Sequence, residues 1–378
     1  MSQELTASIV EHFAGVEDPR LERKREHRLM DILVIAICGV VCGANDWVAV
    51  ETFGKAKENW LRKFLALPHG IPSHDTFGRV FALLKPEQLQ TSFVGWIQAV
   101  AQMTAGQLVA IDGKTVRHSY DRRSGKAAIH MVSAWAAQNH VVLGQLTTDE
   151  KSNEITAIPE LLRLLDVSGC LVTIDAMGCQ RAIAQQIVTQ GGEYVLALKR
   201  NHETLYGAVE ALFARAQVTP SAELALHYYE TTDKAHGRVE IRRHWTTDAV
   251  ATLEQHEAWA KLTCVGKVES ERHVDGKVTC EQRYYLASIP NDVQQFAQAV
   301  RGHWGIENQV HWVLDVAFRE DDCRVRTGHA PENLAVLRHI ALNLLRQDSS
   351  ATMGIQNKRL KAGWDEAYLE KLLFGHTF

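Results

Sequence analysis

Two short apolar stretches, each ending in an aspartate, constrain the fold more than any other feature of the sequence. LVAID ends at Asp112, and GCLVTIDA places Asp175 at the end of a second apolar run. The hydrophobic periodicity of the surrounding sequence predicts both strands and helices. The strands are at 130–138, 141–148 and 193–199, and the helices are at 154–165 and 178–190. The resulting order, β-β-β-α-β-α-β, predicts an α/β fold in which helices pack on a mixed sheet.

The segments that flank this core follow different patterns. Residues 5–95 have helical periodicity, with Ser73 as an N-cap. Residues 224–248 and 261–289 alternate as antiparallel strands do, which we interpret as an all-β insertion within the α/β domain. We expect three regions: a helical N-terminal domain at 1–104, an α/β domain at 105–350 with its β-rich insertion at about 200–290, and a basic, amphipathic C-terminal tail at 351–378.

Composition and cysteine usage indicate a cytoplasmic protein. The longest apolar run, 32–44, contains thirteen residues, whereas a helix that crosses a bilayer needs about 20. The N-terminus lacks the basic and apolar regions of a signal peptide. The seven cysteines form no CxxC pair, so we expect reduced thiols in a cytosol and neither a disulfide framework nor a zinc knuckle.

Charge is distributed unevenly along the 378 residues. The net charge of −4 argues mildly against a nucleic-acid partner, but three segments are basic on balance: 18–28, 113–126 and 234–244. Clustered cations can bind phosphates even when the whole chain is slightly acidic. Each cluster, taken alone, could instead be a solvated loop.

The stretch 301–326 predicts a helix, because no proline interrupts its helical periodicity. On that helix His303, Glu307, His311 and Asp315 follow one another at intervals of four residues and form one polar ridge. A carboxylate between two histidines fits a metal or catalytic site. It also fits a solvated face with a few ion pairs, and the helix alone leaves both interpretations open.

Other residues of this stretch are expected to be structural. An aromatic side chain between polar ridges of a helix usually belongs to a core, so we expect Trp304 to be buried. The later acids are expected to pair with neighbouring arginines rather than bind metal: Asp315, Glu320, Asp321 and Asp322 with Arg319, Arg324 and Arg326.

Asp112, Asp175 and Glu307 together point to a chemical reaction. Ligands of α/β sheets bind beyond the C-terminal ends of the strands, where both aspartates lie, although a single strand-end aspartate is usually a turn-former. Three converging carboxylates need a cation between them, and oxygen ligands select Mg²⁺ or Mn²⁺. Two such ions support an in-line displacement at phosphorus. Four nearby cations would contact the phosphates: Lys114, Arg117, Lys199 and Arg301.

Several motifs, in order, resemble the DDE transposases of bacterial insertion sequences, and most of all the H-repeat-associated family found beside Rhs elements. They are IDGKTVRHS, TIDAMGCQ, EYVLALKRNHETL, HGRVEIRR, HWGIENQVHWVLDVAFREDDCRVR and PENLAVLRHIALNLL. DPR, LMDIL and GIPSHDTFGRVF are similar to that family's associated N-terminal domain. The resemblance therefore covers nearly the whole chain.

The resemblance implies a fold, a site and partners. The fold would be an RNase H-like catalytic core with a β-rich insertion before the last acid. The site would be an Asp-Asp-Glu triad on Mg²⁺, formed by Asp112, Asp175 and Glu307. We expect DNA, both element ends and target, as the partner, a homodimer in the DNA complex, and a cytoplasmic protein that is nucleoid-associated when bound. The residues expected to contact DNA are Lys114, Arg117, Lys199, Arg238, Arg242, Arg243, Arg301, His303 and His311, with Arg20, Arg23, Lys24, Arg25 and Arg28 helping to hold the DNA ends.

The sequence departs from the related transposases at one signature. Many of them carry Tyr-x2-Arg-x3-Glu-x6-Lys around the final acid, but here the corresponding positions hold Val300, His303, Glu307 and Leu314. Only the glutamate is retained, so the family's handling of DNA ends, including hairpin formation, does not transfer directly. We expect Arg301, His303 or His311 to take over the phosphate contacts.

Three other classes of protein share part of this pattern with a transposase. A metal-dependent nuclease on the same fold would share the triad, and a domesticated DNA-binding protein would not need it. A di-iron or zinc enzyme is disfavoured, because paired E-x-x-H motifs and H-E-x-x-H are absent from the sequence. The sequence also lacks a P-loop and a dinucleotide fingerprint, so ATP and NAD are not implied.

Overall fold

The computed structural model of the protein describes residues 10–100, 106–120, 125–148, 154–219, 224–235 and 237–375. The chain forms two compact units. The first comprises 1–103, 113–153 and 307–378, and the second comprises 104–112 and 154–306. The chain passes from one unit to the other directly after Asp112 and directly before Glu307.

Nine strands form one mixed sheet, in the order β3-β2-β1-β4-β5-β9-β8-β7-β6. The strands are β1 (Leu108–Thr115), β2 (His130–Ala136), β3 (Val141–Thr148), β4 (Leu171–Ile174), β5 (Glu193–Leu198), β6 (His227–Ala235), β7 (Arg238–Thr247), β8 (Cys264–Val274) and β9 (Lys277–Ala287). β1 pairs with β4, and β4 with β5, in parallel. β2 and β3 pair in the antiparallel sense. So do the remaining neighbours in the sheet, which are β5–β9, β9–β8, β8–β7 and β7–β6. The predicted mixed α/β sheet is confirmed.

Thirteen α-helices with both ends in the described parts of the chain accompany this sheet. They are α1 (Leu29–Val41), α2 (Trp47–Ala56), α3 (Glu58–Leu61), α4 (His74–Leu83), α5 (Pro86–Val100), α6 (Glu154–Leu164), α7 (Arg181–Thr189), α8 (Glu203–Val218), α9 (Val293–Ile306), α10 (Trp312–Phe318), α11 (Ala330–Gln347), α12 (Ile355–Trp364) and α13 (Glu366–Phe374). The helical N-terminal region is therefore also as predicted. None of these helices is both long enough and apolar enough to cross a bilayer, within the residues that the structure describes.

In the second unit, helix α9 lies directly on the sheet. Gly302 allows this close approach, because a Cβ there would come within 2.1 Å of the Leu108 side chain. His303, one residue later, shares a hydrogen bond of 3.1 Å with the Thr173 hydroxyl on β4. Gly266 on β8 similarly leaves room for Phe296, which is fully buried. The last turn of α9 is thus fixed beside β4 at Thr173, which precedes Asp175 by two residues.

The segment at about 200–290 differs from the predicted all-β insertion. It contains strands β6 to β9, which extend the central sheet from β5, but it also contains the sixteen-residue helix α8. β8 and β9 are joined by Asp275 and Gly276, which both have positive φ, as a tight two-residue hairpin turn requires. The alternating pattern identified the strands correctly. The helix was missed because its residues lie before the two alternating segments, 224–248 and 261–289, on which the prediction rested.

In the first unit, helix α11 forms the centre of the packing. Sixteen of its residues are buried, and it contacts α1, α4, α5 and β3. Two of its asparagines form hydrogen bonds with the backbone of neighbouring elements. Asn333 donates to the carbonyls of Phe81 and Leu84. Asn343 accepts from the N–H of Val142 and donates to its carbonyl. The predicted N-cap Ser73 accepts a bond from the Thr76 N–H and begins α4.

The tail of the first unit contains cations that are internal to the fold. Lys358 and Arg359 on α12 are buried. Arg359 donates to the carbonyls of Val40 and Ala44, at the end of α1, while Lys358 donates to the Leu345 and Asp348 carbonyls. The sequence predicted a basic, amphipathic tail, and two of its cations satisfy carbonyls at helix ends, which otherwise lack partners.

Candidate active site

Asp112 and Asp175 occupy matching positions on neighbouring parallel strands of the second unit. The register pairs Ile111 of β1 with Ile174 of β4, so Asp112, within β1, and Asp175, directly after β4, each follow a paired residue. Neighbouring strands lie about 4.8 Å apart. The structure therefore brings these two predicted acids side by side at the C-terminal edge of the parallel strands.

Asp175 is held in place by the turn that follows β4. Its Oδ1 accepts hydrogen bonds from the N–H groups of Met177 at 3.0 Å and Gly178 at 3.4 Å. Burial raises the pKa of Asp175, and the negative charge of Glu154 raises it further, while those two N–H groups and Lys199 lower it. The net shift is upward, so a cation close to Asp175 would favour its charged form.

Glu154 is a site residue that the sequence did not identify. It begins α6 and is 4% exposed, although a glutamate in the first turn of a helix is usually an exposed partner of the helix dipole. Its charge acts on Asp175 within the second unit. Nothing in the local sequence distinguishes it from any other first-turn acid, so only the tertiary structure reveals it.

A small pocket of the second unit lies next to Asp175. Lys199, Arg283, His303 and Trp304 are among its lining residues. Trp304 is 41% exposed and its ring lies 4.8 Å below the Arg283 guanidinium, so the expectation that it is a core residue was wrong. The exposed Lys199 and the half-buried His303 stay candidates for contact with phosphate.

In the first unit, Glu307 lies in a π-helical turn, Glu307–His311, between α9 and α10. The predicted helix is therefore present but not uniform, and the residues of its polar ridge are not aligned as they would be on a regular α-helix. The Glu307 carboxylate forms a hydrogen bond of 3.1 Å with Nδ1 of His311. This bond lowers the pKa of Glu307, burial opposes the shift, and the charges of His311 and Lys114 support it. π-Helical turns often occur at functional sites.

His311 and Glu307 differ in their exposure. The Glu307 side chain is 56% exposed, whereas that of His311 is 5% exposed. Their ligand atoms lie close enough for one metal ion to contact both. His311 was expected to contact DNA, but a buried imidazole is better suited to orient Glu307 or to bind a metal ion.

Lys114 lies at the centre of an ion-pair network in the first unit. Its ammonium is 2.5 Å from the Asp315 carboxylate, 2.8 Å from that of Glu320 and 3.6 Å from that of Asp321. Arg338 pairs with the other oxygen of Glu320 at 3.3 Å. We expected Asp315, Glu320 and Asp321 to pair with the arginines of their own segment, but a lysine about 200 positions earlier in the chain takes that role. Asp322 does pair with Arg319, as expected.

Glu320→Gln is expected to lower the free energy of unfolding by about 3 kcal/mol at pH 7, since it removes one partner of a buried ion pair. Burial alone would raise the pKa of Glu320, but Lys114 and Arg338 lower it to about 2. The folded pKa is below the unfolded one, so the stabilisation is present above about pH 4.3 and is lost as pH falls towards 2. Urea unfolding of both proteins from pH 7 to 3 should show the difference shrinking.

The control for this prediction is Glu58→Gln, which removes a half-buried surface acid of the same unit. It should change the unfolding free energy by less than about 0.5 kcal/mol. Equal stability of Glu320→Gln and the wild-type protein at pH 7 would contradict the prediction.

The remaining residues expected to contact DNA differ in accessibility. Arg117, Lys199, Arg238 and Arg301 are exposed. Arg242 is buried between Asp233 at 2.5 Å and Glu240 at 2.7 Å, and Arg243 pairs with Glu230 and Glu271. Their expected DNA contacts stay predictions, but the role of Arg242 is better explained by the hairpin that it holds together.

The basic segment at 18–28 is likewise partly structural. Arg20 forms a two-bond pair with Asp18 and donates to the carbonyl of His27. Arg25 donates to the carbonyls of Asp18 and Arg20. Arg23, Lys24 and Arg28 are exposed, so within this segment they are the cations better placed to contact DNA.

Comparison with known protein families identifies the family of the chain. A family profile described as "Transposase DDE domain" matches residues 104–344, and one described as "DDE_Tnp_1-associated" matches residues 10–97. The chain belongs to the DDE transposase family.

Relatives within this family narrow the identification. The chain is 39% identical to the H repeat-associated putative transposase YhhI of Escherichia coli K12, over 97% of this chain and 98% of the relative. It is also 39% identical to the putative transposase YncI of Escherichia coli O157:H7, over 97% and 94%. The predicted H-repeat resemblance is confirmed. A cryo-EM structure of the piggyBac transposase synaptic complex with hairpin DNA matches at a TM-score of 0.40 and 11% identity, over 98% of this chain and 79% of that one, which is too low to support any argument.

Proposed function

We propose that the protein is a DNA transposase that cleaves DNA at insertion-sequence ends and joins the resulting ends to target DNA. In this proposal Asp112, Asp175 and Glu307 form the catalytic triad on an RNase H-like core. The matching positions of Asp112 and Asp175 on parallel strands carry the proposal. The strand order β3-β2-β1-β4-β5 supports such a core, and Glu307 directly follows a helix that is fixed beside β4.

The donor atoms fit a divalent cation. We propose that Asp112, Asp175 and Glu307 supply carboxylate ligands to the ion, and that His311, which shares a hydrogen bond with Glu307, supplies an imidazole. Carboxylate oxygens suit Mg²⁺ and Mn²⁺, and a single imidazole is compatible with Mn²⁺. A divalent ion there would activate the attacking oxygen and stabilise the leaving oxygen of an in-line displacement. Among the chain's own groups, His311 orients Glu307, and the turn after β4 orients Asp175.

The accessible cations define the proposed contacts with DNA. Lys199 lines the pocket that contains Asp175, so we assign it to the phosphate nearest the cut. Arg117, Arg238 and Arg301 would contact phosphates farther away, with the helical N-terminal domain at 1–104 helping to hold the ends. Two copies of the chain would act together in the DNA complex, because transposition joins two element ends.

Cleavage is expected to require Mg²⁺ or Mn²⁺, because carboxylates are hard ligands. Purified protein would be incubated with DNA that carries the sequences bracketing its gene, and the cut positions would be mapped. Ca²⁺ should support binding but not cleavage, since its looser coordination positions the attacking oxygen poorly.

Unchanged cleavage in EDTA would refute the metal-dependent mechanism. Cuts scattered along the DNA, rather than at the candidate ends, would favour the nuclease alternative. Binding without any cleavage in Mg²⁺ or Mn²⁺ would favour a domesticated DNA-binding protein.

A further inference from the structure

The first unit contains a groove of about 950 Å³ that the proposed reaction does not use. Its walls are the start of α2 at 45–48, helix α4, and the loop at 319–327 that follows α10. This groove is formed by the N-terminal region together with the segment that follows Glu307. We call it the α4 groove.

The α4 groove presents more positive than negative charge that is available to a ligand. Four arginines line it: Arg79, Arg319, Arg324 and Arg326. Arg79 and Arg324 are exposed, and their guanidinium groups form no ion pair with residues that the structure describes. The groove therefore offers two accessible cations.

The acids of the groove are largely engaged by the protein itself. Asp46 caps α2 by accepting a bond from the Ala49 N–H, and Asp322 pairs with Arg319. Asp75 is 78% exposed and lies 3.6 Å from the His74 imidazole, so it stays open to solvent. Two of these three acids are therefore engaged by the protein itself.

The groove also exposes apolar side chains between its cations. Val48 is 56% exposed and Leu83 is 53% exposed, although both belong to helices that are otherwise packed into the unit. Cations for phosphates beside apolar contacts for sugars suit a nucleic-acid strand better than a small anion or a metal ion.

We propose that the α4 groove binds the sugar-phosphate backbone of the DNA on which the triad acts, through Arg79 and Arg324. This inference rests on the proposed function. The helical segment from Glu307 to Arg319 contains twelve steps in the sequence, the first four of them π-helical, and so spans slightly less than the roughly 18 Å of a regular α-helix of that length. This distance is about half a turn of B-DNA. The groove would therefore hold phosphates about five base pairs from the cut.

The test is the salt dependence of DNA binding by the Arg79→Ala/Arg324→Ala double variant. Both proteins would carry Glu307→Gln, so that the DNA is not cut, and the probe would be a 30-base-pair duplex with a candidate end. Each lost phosphate contact lowers the slope of log affinity against log salt by about 0.9. The double variant should therefore lose about 1.8 from that slope.

A matched control removes two other cations of the same unit. Arg62→Ala/Lys63→Ala deletes exposed side chains that pair with Glu58 and Glu370 and that lie outside the groove. This control should keep the wild-type slope. Thermal unfolding of both double variants would show that neither has lost its fold.

A second measurement locates the DNA independently of the salt slope. Leu83→Cys would be tested for thiol–disulfide exchange with tethers on single phosphates, in a background where Cys280 and Cys323 are replaced by serine. The cross-link should form about five base pairs from the cut. Val218→Cys, an exposed control on α8, should not form it.

The outcomes test DNA binding by the α4 groove separately from the proposed function. An unchanged slope and no cross-link at Leu83→Cys, in a protein that cleaves DNA, overturn the groove and leave the proposed function intact. If the double variant has a reduced slope and Leu83→Cys forms the cross-link, DNA binding by the groove is supported. If the wild-type protein then neither cleaves nor joins DNA, the proposed transposase function is refuted. A protein that binds no DNA refutes both.

Discussion

Single replacement of Asp112, Asp175 or Glu307 by the matching amide is expected to reduce metal-dependent DNA cleavage by at least about a thousandfold. A bound metal ion contributes several kcal/mol of transition-state stabilisation, and about 4 kcal/mol corresponds to a thousandfold in rate. An amide keeps the shape of the carboxylate but loses the charge that binds the ion. The measurement is the rate of end cleavage in Mg²⁺ at saturating protein.

The Asp175 amide should leave the fold intact. In Asp175→Asn the new amide would retain a carbonyl oxygen to accept the bonds from Met177 and Gly178. Burial raises the pKa of Asp175, so the charged form is disfavoured in the folded protein without metal. Asp175→Asn is therefore expected to unfold at the same temperature as the wild-type protein or slightly higher, when no metal is added.

Glu160→Gln is the matched control for this series. Glu160 is an exposed acid on α6, six residues after Glu154, and its amide should cleave at the wild-type rate. If all three triad amides cleaved DNA at near the wild-type rate, the assignment of the triad would be wrong. If only Asp112→Asn and Glu307→Gln lost activity, the second carboxylate would have to be Glu154 rather than Asp175.

The architecture was predictable where short-range pattern determines structure. LVAID and GCLVTI read as strands because an apolar run of that length, bounded by turn residues, suits a strand buried on both faces. The pairing of Asp112 with Asp175 followed because parallel strands end at one edge of a sheet. The antiparallel pattern at 261–289 likewise identified β8 and β9.

The details that were missed depend on residues distant in the sequence. Lys114 pairs with Asp315 across 201 positions, and no local pattern favours it over the arginines near Asp315. Trp304 is 41% exposed and contacts Arg283 of β9, a residue 21 positions earlier in the chain, through its ring. The π-helical turn at Glu307 leaves the apolar periodicity almost unchanged, so an ordinary helix was the simpler prediction. For Lys114 and Trp304, the environment of the side chain depends on a partner that is distant in the sequence.

The Lys114 network also bears on the departure from the family signature. Leu314 stands where related transposases have a lysine, and it is buried. Lys114 instead brings an ammonium to the neighbouring residue, Asp315, from strand β1. Its charge contributes to lowering the pKa of Glu307. A cation is thus present near the last acid, but three carboxylates hold it, which favours positioning of the helix over contact with phosphate.

A pre-cut DNA end with a 3′-hydroxyl is expected to become covalently joined to a plasmid when protein and Mg²⁺ are present. Cleavage and joining are both in-line displacements at phosphorus, so one triad can serve both and only the attacking oxygen differs. Water attacks in the first step, and the freed 3′-hydroxyl attacks in the second. The joined product would be detected by gel electrophoresis of labelled ends and by sequencing of the junctions.

The chemical control for joining is an end that lacks the 3′-hydroxyl. It should bind equally well, because the phosphates and bases are unchanged, but it should yield no joined product. Holding an end and a target together makes the second displacement effectively intramolecular, which can contribute about 7–11 kcal/mol to lowering the barrier. A nuclease has no reason to retain its product in this way, because water is always available to it. If protein that cleaves candidate ends gives only hydrolysis with every 3′-hydroxyl end tested, the nuclease alternative is correct and the joining step of the proposed function is wrong.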